Sequence, residues 1–132
     1  MENKYATRQS VLVIDDDRNM LHLIQRILED SYDVSVAADG IAGLALFREK
    51  NPNLVILDIM MPGPDGLMVL DSIRKSSNVP VIMVSAKPEF STIEATANLG
   101  ADDYIEKPFH PATLLARVKS KLRRADWNHS PA

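Results

Sequence analysis

Three short runs, Val11-Leu-Val-Ile14, Leu54-Val-Ile-Leu57 and Val81-Ile-Met-Val84, are apolar without interruption and rich in β-branched residues. A strand with one wet face alternates apolar and polar residues, so an unbroken run of this length asks for apolar cover on both faces. The intervening segments carry helical spacing instead: Met20, Leu23, Ile24, Ile27 and Leu28, then Leu44 and Phe47, then Leu67, Leu70 and Ile73, and finally Leu114, Leu115, Val118 and Leu122. Between the last two lies a fourth helix over about Glu89 to Leu99, whose apolar stripe is only Ile93, Ala97 and Leu99. It is expected to be the least firmly docked. Asp33-Val-Ser-Val36, which alternates, and the very short Asp103-Tyr-Ile105 suit the edges of a sheet. Asp17, Asp39 and Asp65 stand where N-caps are wanted, Pro111 fits a first helical turn and Gly100 a C-terminal stop. The alternation predicts an α/β fold with a doubly wound parallel sheet of five strands. Right-handed crossovers around three central strands give the order 2-1-3-4-5 of a flavodoxin-like (βα)5 domain.

A chain of 132 residues has room for one such core. Residues 1–10 are expected to be an N-terminal tail, 11–124 the domain, and 125–132 a short polar tail or the start of a linker, with output through a partner or a further domain. No apolar run approaches the roughly 18 residues of a membrane span, and the polar N-terminus lacks the apolar stretch of a secretory signal. A cytoplasmic location and no membrane partner are therefore expected. Zero cysteines exclude disulfides, zinc-thiolate sites and thiol nucleophiles. A net charge of −3 disfavours nucleic-acid binding through this chain.

The topology locates a site before any motif is considered. In open α/β sheets ligands bind beyond the carboxyl ends of the strands where the winding reverses, here between strands 1 and 3. Asp15, Asp16 and Asp17 follow strand 1, Asp58 closes strand 3, Ser85 ends strand 4 and Lys107 follows strand 5. An isolated Asp at such a place is most simply a helix cap, but capping uses one carboxylate per helix, and Asp58 with the Asp15-Asp16 pair exceeds that. Two unit charges about 4 Å apart repel by roughly 4 kcal/mol at an effective dielectric of 20. A hard divalent cation is the natural compensation, and an oxygen-only donor set suits Mg²⁺. An aspartate beside Mg²⁺ can act as a nucleophile towards phosphorus, and Ser85 and Lys107 supply a hydroxyl and an ammonium for the other phosphoryl oxygens.

Four segments in order carry a family resemblance: Val13-Ile-Asp-Asp-Asp17, Leu57-Asp-Ile-Met-Met-Pro-Gly-Pro-Asp-Gly66, Val84-Ser-Ala86 and Gly100-Ala-Asp-Asp-Tyr-Ile-Glu-Lys-Pro-Phe109. The chain resembles the receiver domain of two-component response regulators over about Val11 to Arg124. The resemblance implies that Asp58 is the phosphoacceptor, and that Asp15, Asp16 and Asp58 bind Mg²⁺ with the main-chain carbonyl of Met60. It further implies that Ser85 and Lys107 contact the phosphoryl group, that Tyr104 is an aromatic switch turning inward on phosphorylation, and that Lys107-Pro108 is cis. A sensor histidine kinase is the implied phosphodonor. By the same resemblance, Met60 and Lys87 occupy positions that in this family influence water access to the phosphoryl group, and they are expected to tune its lifetime. Gly100 to Ile105, with Leu115-Ala-Arg117 and Leu122-Arg-Arg124, is most similar to winged-helix transcriptional regulators. That implies a phosphorylation-dependent homodimer through the fourth helix, fifth strand and fifth helix, with Asp102 and Asp103 set against Arg117 and Arg124. The chain departs from this pattern at Ile93 and Thr113, where a basic and an acidic residue are expected.

A rival from another class is a haloacid-dehalogenase-like Mg²⁺-dependent phosphohydrolase, with Asp15 as nucleophile in Asp15-x-Asp17. It leaves Asp58 and the Met61-Pro-Gly-Pro-Asp-Gly66 loop without a role. The five glycines form neither G-x-G-x-x-G nor G-x-x-x-x-G-K-[ST], which sets nucleotide binding aside. His22, His110 and His129 lack ligand spacing.

Overall fold

The computed structural model describes residues 8–86 and 89–129, with side chains through residue 125. Lys87 and Pro88 lie outside the described residues, and so does most of the expected N-terminal tail. Five strands, β1 (Ser10–Ile14), β2 (Asp33–Ala37), β3 (Leu54–Leu57), β4 (Val81–Ala86) and β5 (Asp103–Lys107), alternate with α1 (Arg18–Leu28), α2 (Gly40–Lys50), α3 (Gly66–Arg74), α4 (Phe90–Asn98) and α5 (Pro111–His129). All pairings are parallel and the order is β2-β1-β3-β4-β5. The expected fold and strand order are thus the observed ones.

Alternation along the three central strands splits the interior into two layers. Val11, Val13, Leu54, Ile56, Ile82, Val84 and Ile105 face α1 and α5, packing on Leu21, Ile24, Leu28, Leu114, Val118 and Leu122. Leu12, Ile14, Val55, Leu57, Val81 and Met83 face the other way, onto Phe47 of α2 and Val69, Leu70 and Ile73 of α3. Nearly all these side chains are fully buried, each contributing roughly 1.5–3 kcal/mol of burial. Asp17, Asp39 and Asp65 cap α1, α2 and α3, accepting bonds from Asn19 N (2.9 Å), Ala42 N (2.7 Å) and Met68 N (3.0 Å). Pro111 opens α5, and Gly100, at φ +97°, takes the left-handed conformation that ends α4.

Three expectations are corrected. β5 runs two residues further than Ile105, so Lys107 is its last residue rather than the residue after it. α5 continues as helix through Ala125 to His129, where a tail was expected from residue 125. In α4 the buried residue is Thr96, while Ile93 is 39% exposed and Ala97 is exposed. The face turned inward is Thr92, Ala95, Thr96 and Leu99, spaced as one side of a helix. Thr96 tolerates burial because its hydroxyl donates to the Ile93 carbonyl at 2.8 Å.

Candidate phosphoacceptor and metal site

Strand parity builds this site. Asp15 lies two residues beyond Val13, Asp58 two beyond Ile56, and Lys107 two beyond Ile105, so all three continue the rows that face α1 and α5. Ser85 and Tyr104 belong to the opposite side, Ser85 two residues after Met83 and Tyr104 packed against the second layer. The ladder continues past the strand ends, with Asp58 N–H donating to the Ile14 carbonyl at 2.9 Å and Asp15 N–H to the Ala37 carbonyl at 3.1 Å. Asp58 is thereby set beside Asp15. Ser85 pairs in register with Glu106, and Ala86 with Lys107, which brings the ends of β4 and β5 to the same rim.

Asp15, Asp58 and Ser85 are buried, at 2, 5 and 1% exposure. Asp16 is exposed. Lys107 Nζ lies 2.8 Å from Asp15 Oδ2 and 3.8 Å from Asp58 Oδ1, so it is bonded to the first and poised near the second. Asp15 Oδ1 accepts the Asp17 N–H at 2.9 Å. Both Asp15 oxygens therefore have partners, which suits a fixed ligand better than the nucleophile of the phosphohydrolase alternative. Burial, first, and the neighbouring Asp15 charge push the Asp58 carboxyl from its ordinary value of 3.8 up to about 6. Lys107 and the Met60 N–H pull the other way, and Asp16 adds a smaller upward push. One carboxylate oxygen each from Asp15, Asp16 and Asp58 lie within 4.8 Å of one another. A cluster of hard oxygen donors, destabilised by its own charge, fits a small divalent cation such as Mg²⁺.

On the far side of Asp58, the Ser85 Oγ and Tyr104 hydroxyl are both enclosed and make no hydrogen bond among the described residues. Burial raises the Tyr104 phenol above its ordinary 10.0, partly offset by the adjacent Ser85 hydroxyl, while Glu106 and Asp58 add upward pushes. The ring is thus already turned inward, alongside Ser85. Unpartnered buried hydroxyls are costly, and two of them near the Asp58 carboxylate leave donor and acceptor capacity that the described residues do not use.

The residues expected to face a second protomer are largely committed within the chain. Asp103 Oδ1 accepts from Arg117 Nη1 at 2.7 Å, and Asp102 Oδ2 from Arg74 Nη2 at 2.9 Å. Arg124 is exposed and has no ion-pair partner among the described residues. Arg74 was not foreseen as important. Two clefts, of about 790 and 440 Å³, lie at the opposite end of the sheet around Asn78 and Pro80. Neither brings a carboxylate cluster together among the described residues, unlike the acidic crevice. Among the described residues no helix is long and apolar enough to cross a membrane.

The family model of the response regulator receiver domain matches residues 11–119. The probable transcriptional regulator ycf27 of Porphyridium aerugineum is 46% identical over 120 residues, 90% of this chain and 50% of that protein. The DNA-binding response regulator MtrA of Mycobacterium tuberculosis is 42% identical over 120 residues, 90% of this chain and 53% of that protein. The chain thus spans about half the length of the curated relatives it matches. A solved CheY-like response regulator receiver domain protein from Methanospirillum hungatei superposes with a TM-score of 0.89 at 31% identity, covering 92% of this chain and 99% of that one.

Proposed function

The chain belongs to the response regulator receiver domain family of two-component systems, and on that premise we propose that it accepts a phosphoryl group on Asp58 from a sensor histidine kinase. The observation that carries the proposal is the buried Asp58 carboxylate, within 3.8 Å of Lys107 and clustered with Asp15 and Asp16. An Asp58 oxygen attacks phosphorus, the bond from phosphorus to the donor imidazole nitrogen breaks, and that nitrogen takes up a proton. Asp15, Asp16, Asp58 and the Met60 carbonyl would hold Mg²⁺, which when bound would supply charge neutralisation for the phosphoryl group. Lys107 moves from Asp15 towards a phosphoryl oxygen, and the Ser85 hydroxyl donates to another. The protein is a signalling phosphoacceptor whose only phosphotransfer is self-directed, including its own dephosphorylation. It acts in the cytoplasm. The phosphohydrolase alternative gains no support, because the family that matches residues 11–119 is the response regulator receiver domain.

Acetyl phosphate is a sufficient probe, since attack on its phosphorus expels acetate. Intact-mass measurement is expected to show one added phosphoryl group in the presence of Mg²⁺, none with chelator, and none in Asp58→Asn. A mass gain that persists in the variant would overturn the assignment.

Phosphorylation brings about −1.5 to −2 charge and strong acceptor oxygens to the neighbourhood of the Ser85 and Tyr104 hydroxyls, which have no hydrogen-bond partner among the described residues. Ser85 bonding to the phosphoryl group fixes Tyr104 in the space beside it, and the face formed by α4, β5 and α5 changes with it to promote a homodimer. Of the four residues expected on that face, Arg124 is the one with no ion pair among the described residues and is offered to a partner, while Asp102, Asp103 and Arg117 shape the face through contacts inside the chain. Tyr104→Ala is expected to phosphorylate as the parent does yet lose most phosphorylation-dependent dimerisation, measured by sedimentation; undiminished dimerisation would remove Tyr104 from the switch.

A further inference from the structure

α4 is held differently at its two ends. At the N-terminal end Glu89 occupies the cap position without a side-chain bond to the helix, and Phe90 is 75% exposed. At the C-terminal end the turn into β5 is gripped from α3. Arg74, the last residue of α3, donates from Nε and Nη2 to the Gly100 carbonyl (3.0 and 2.9 Å), and from Nη1 to the carbonyls of Val79 (2.7 Å) and Ser77 (3.3 Å). Nη2 also donates to Asp102 Oδ2 at 2.9 Å, and the Arg74 side chain is only 17% exposed. The same Asp102 oxygen accepts the Val81 N–H at 2.8 Å, and Asp102 N–H donates to the Val81 carbonyl at 2.9 Å. The β4–β5 register starts one residue on, at Ile82 and Asp103, and runs to Ala86 and Lys107 at the site.

We infer that Arg74 is a positioning residue, whose clamp on Gly100 and Asp102 pins the C-terminal end of α4 and the β4–β5 register, so that α4 swings at its N-terminal end about a fixed pivot at Leu99–Asp102. The inference rests on the proposed phosphorylation of Asp58 as the event that moves α4. Only guanidinium has the geometry for the task, since it presents five donors in a rigid plane whereas an ammonium is a point charge. The nine residues of α4 make a lever about 13 Å long. A small rotation at Gly100 therefore becomes a displacement of Phe90 and Ile93 large enough to change what the exposed face offers.

Hydrogen exchange on the whole chain, before and after acetyl phosphate with Mg²⁺, reads the pivot directly, with intact mass taken from the same samples. The amides of Leu99, Gly100, Ala101 and Asp102 are all bonded, to Ala95, Ala97, Thr96 and Val81 carbonyls, so their protection is measurable. In the parent, phosphorylation is expected to change exchange at Thr92 to Glu94 by about tenfold and at Leu99 to Asp102 by less than about twofold. Arg74→Gln is expected to take up phosphoryl groups as the parent does but spread the change to Leu99–Asp102. Arg74→Lys, which keeps the charge without the fork, is expected to leave the Val81 amide protected and loosen Gly100 and Ala101. Equal changes at the two ends of α4 in the parent, or a parental pattern in Arg74→Gln, would overturn the pivot; the parent measurement alone decides if the variant does not fold. A sample that gains no mass overturns the phosphoacceptor assignment instead. The clamp is then judged in the resting chain, where Arg74→Gln must raise exchange at Leu99–Asp102 about tenfold and an unchanged rate refutes it.

Discussion

Gly66→Ala is expected to destabilise the chain by about 3 kcal/mol or more and to abolish phosphoryl uptake in the fraction that still folds. A Cβ at this position would stand 2.2 Å from the Asp58 carbonyl oxygen, 2.6 Å from Ile59 Cα and 2.9 Å from the Asp58 carbonyl carbon. All three are main-chain atoms, so no rotamer change relieves the overlap. The Gly66 N–H also donates to the Ile59 carbonyl at 2.8 Å, which holds the first turn of α3 against the end of β3. Relief requires α3 to back away from β3. That movement pulls Val69, Leu70 and Ile73 out of their layer and tilts the segment carrying Asp58. Gly63→Ala is the control: Gly63 has φ +72° but nothing within 4 Å of its would-be Cβ, so it incurs only the conformational penalty, about 1 kcal/mol. Urea denaturation of the two variants beside the parent separates the effects. A Gly66→Ala midpoint equal to that of Gly63→Ala would show that the close approach does not control this loop.

The centre of the fold was legible because strands buried on both faces leave an unmistakable trace, as at Leu54-Val-Ile-Leu57, all four of which are buried. Helix starts were legible because capping is local chemistry, and Asp17, Asp39 and Asp65 all accept the bonds their positions suggest. The crevice followed from topology, since strand order and parity alone bring Asp15, Asp58 and Lys107 together. Hydropathy misjudged α4 at Thr96. The residue counts as polar in any periodicity, yet a bond to its own helix leaves its methyl group free to pack, while Ile93 faces outward. The Arg74 clamp leaves no sequence pattern, because three of its four acceptor groups are main-chain carbonyls that any residue could provide. For the same reason Asp102 looked available to another protomer. Its oxygen is in fact shared between Arg74 and the Val81 N–H.

Asp58→Asn is expected to stabilise the metal-free chain at pH 7 by about 2–3 kcal/mol, although it removes the proposed reactive group. The folded state lifts the Asp58 carboxyl from 3.8 to about 6, principally by burial and secondly through Asp15. A carboxyl raised in this way binds its proton more tightly folded than unfolded. Its protonation therefore favours folding fully below about pH 4, and that advantage is lost as pH rises through about 6. At pH 7 the folded chain carries a buried charge that the unfolded chain keeps in water. Asparagine has the same shape without that charge, so its advantage should be near its full value at pH 7, fall to roughly half a kcal/mol near pH 4, and vanish only below about pH 3, where Asp58 is neutral in both states. The cation closes the gap from the other side. Mg²⁺ binding only the folded parent adds RT ln(1 + [L]/Kd), about 2.7 kcal/mol at one hundred times Kd, and the variant, lacking one ligand, gains much less. Urea melts of both proteins at about pH 4 and 7, with chelator and with Mg²⁺, test each step. An Asp58→Asn variant no more stable than the parent at pH 7 in chelator would show that Lys107 already compensates the cluster, and that metal need not be what relieves it. The expected result ties stability to reactivity: the environment that makes the Asp58 charge costly also makes its oxygen more basic, hence more nucleophilic towards phosphorus once a cation holds its neighbours.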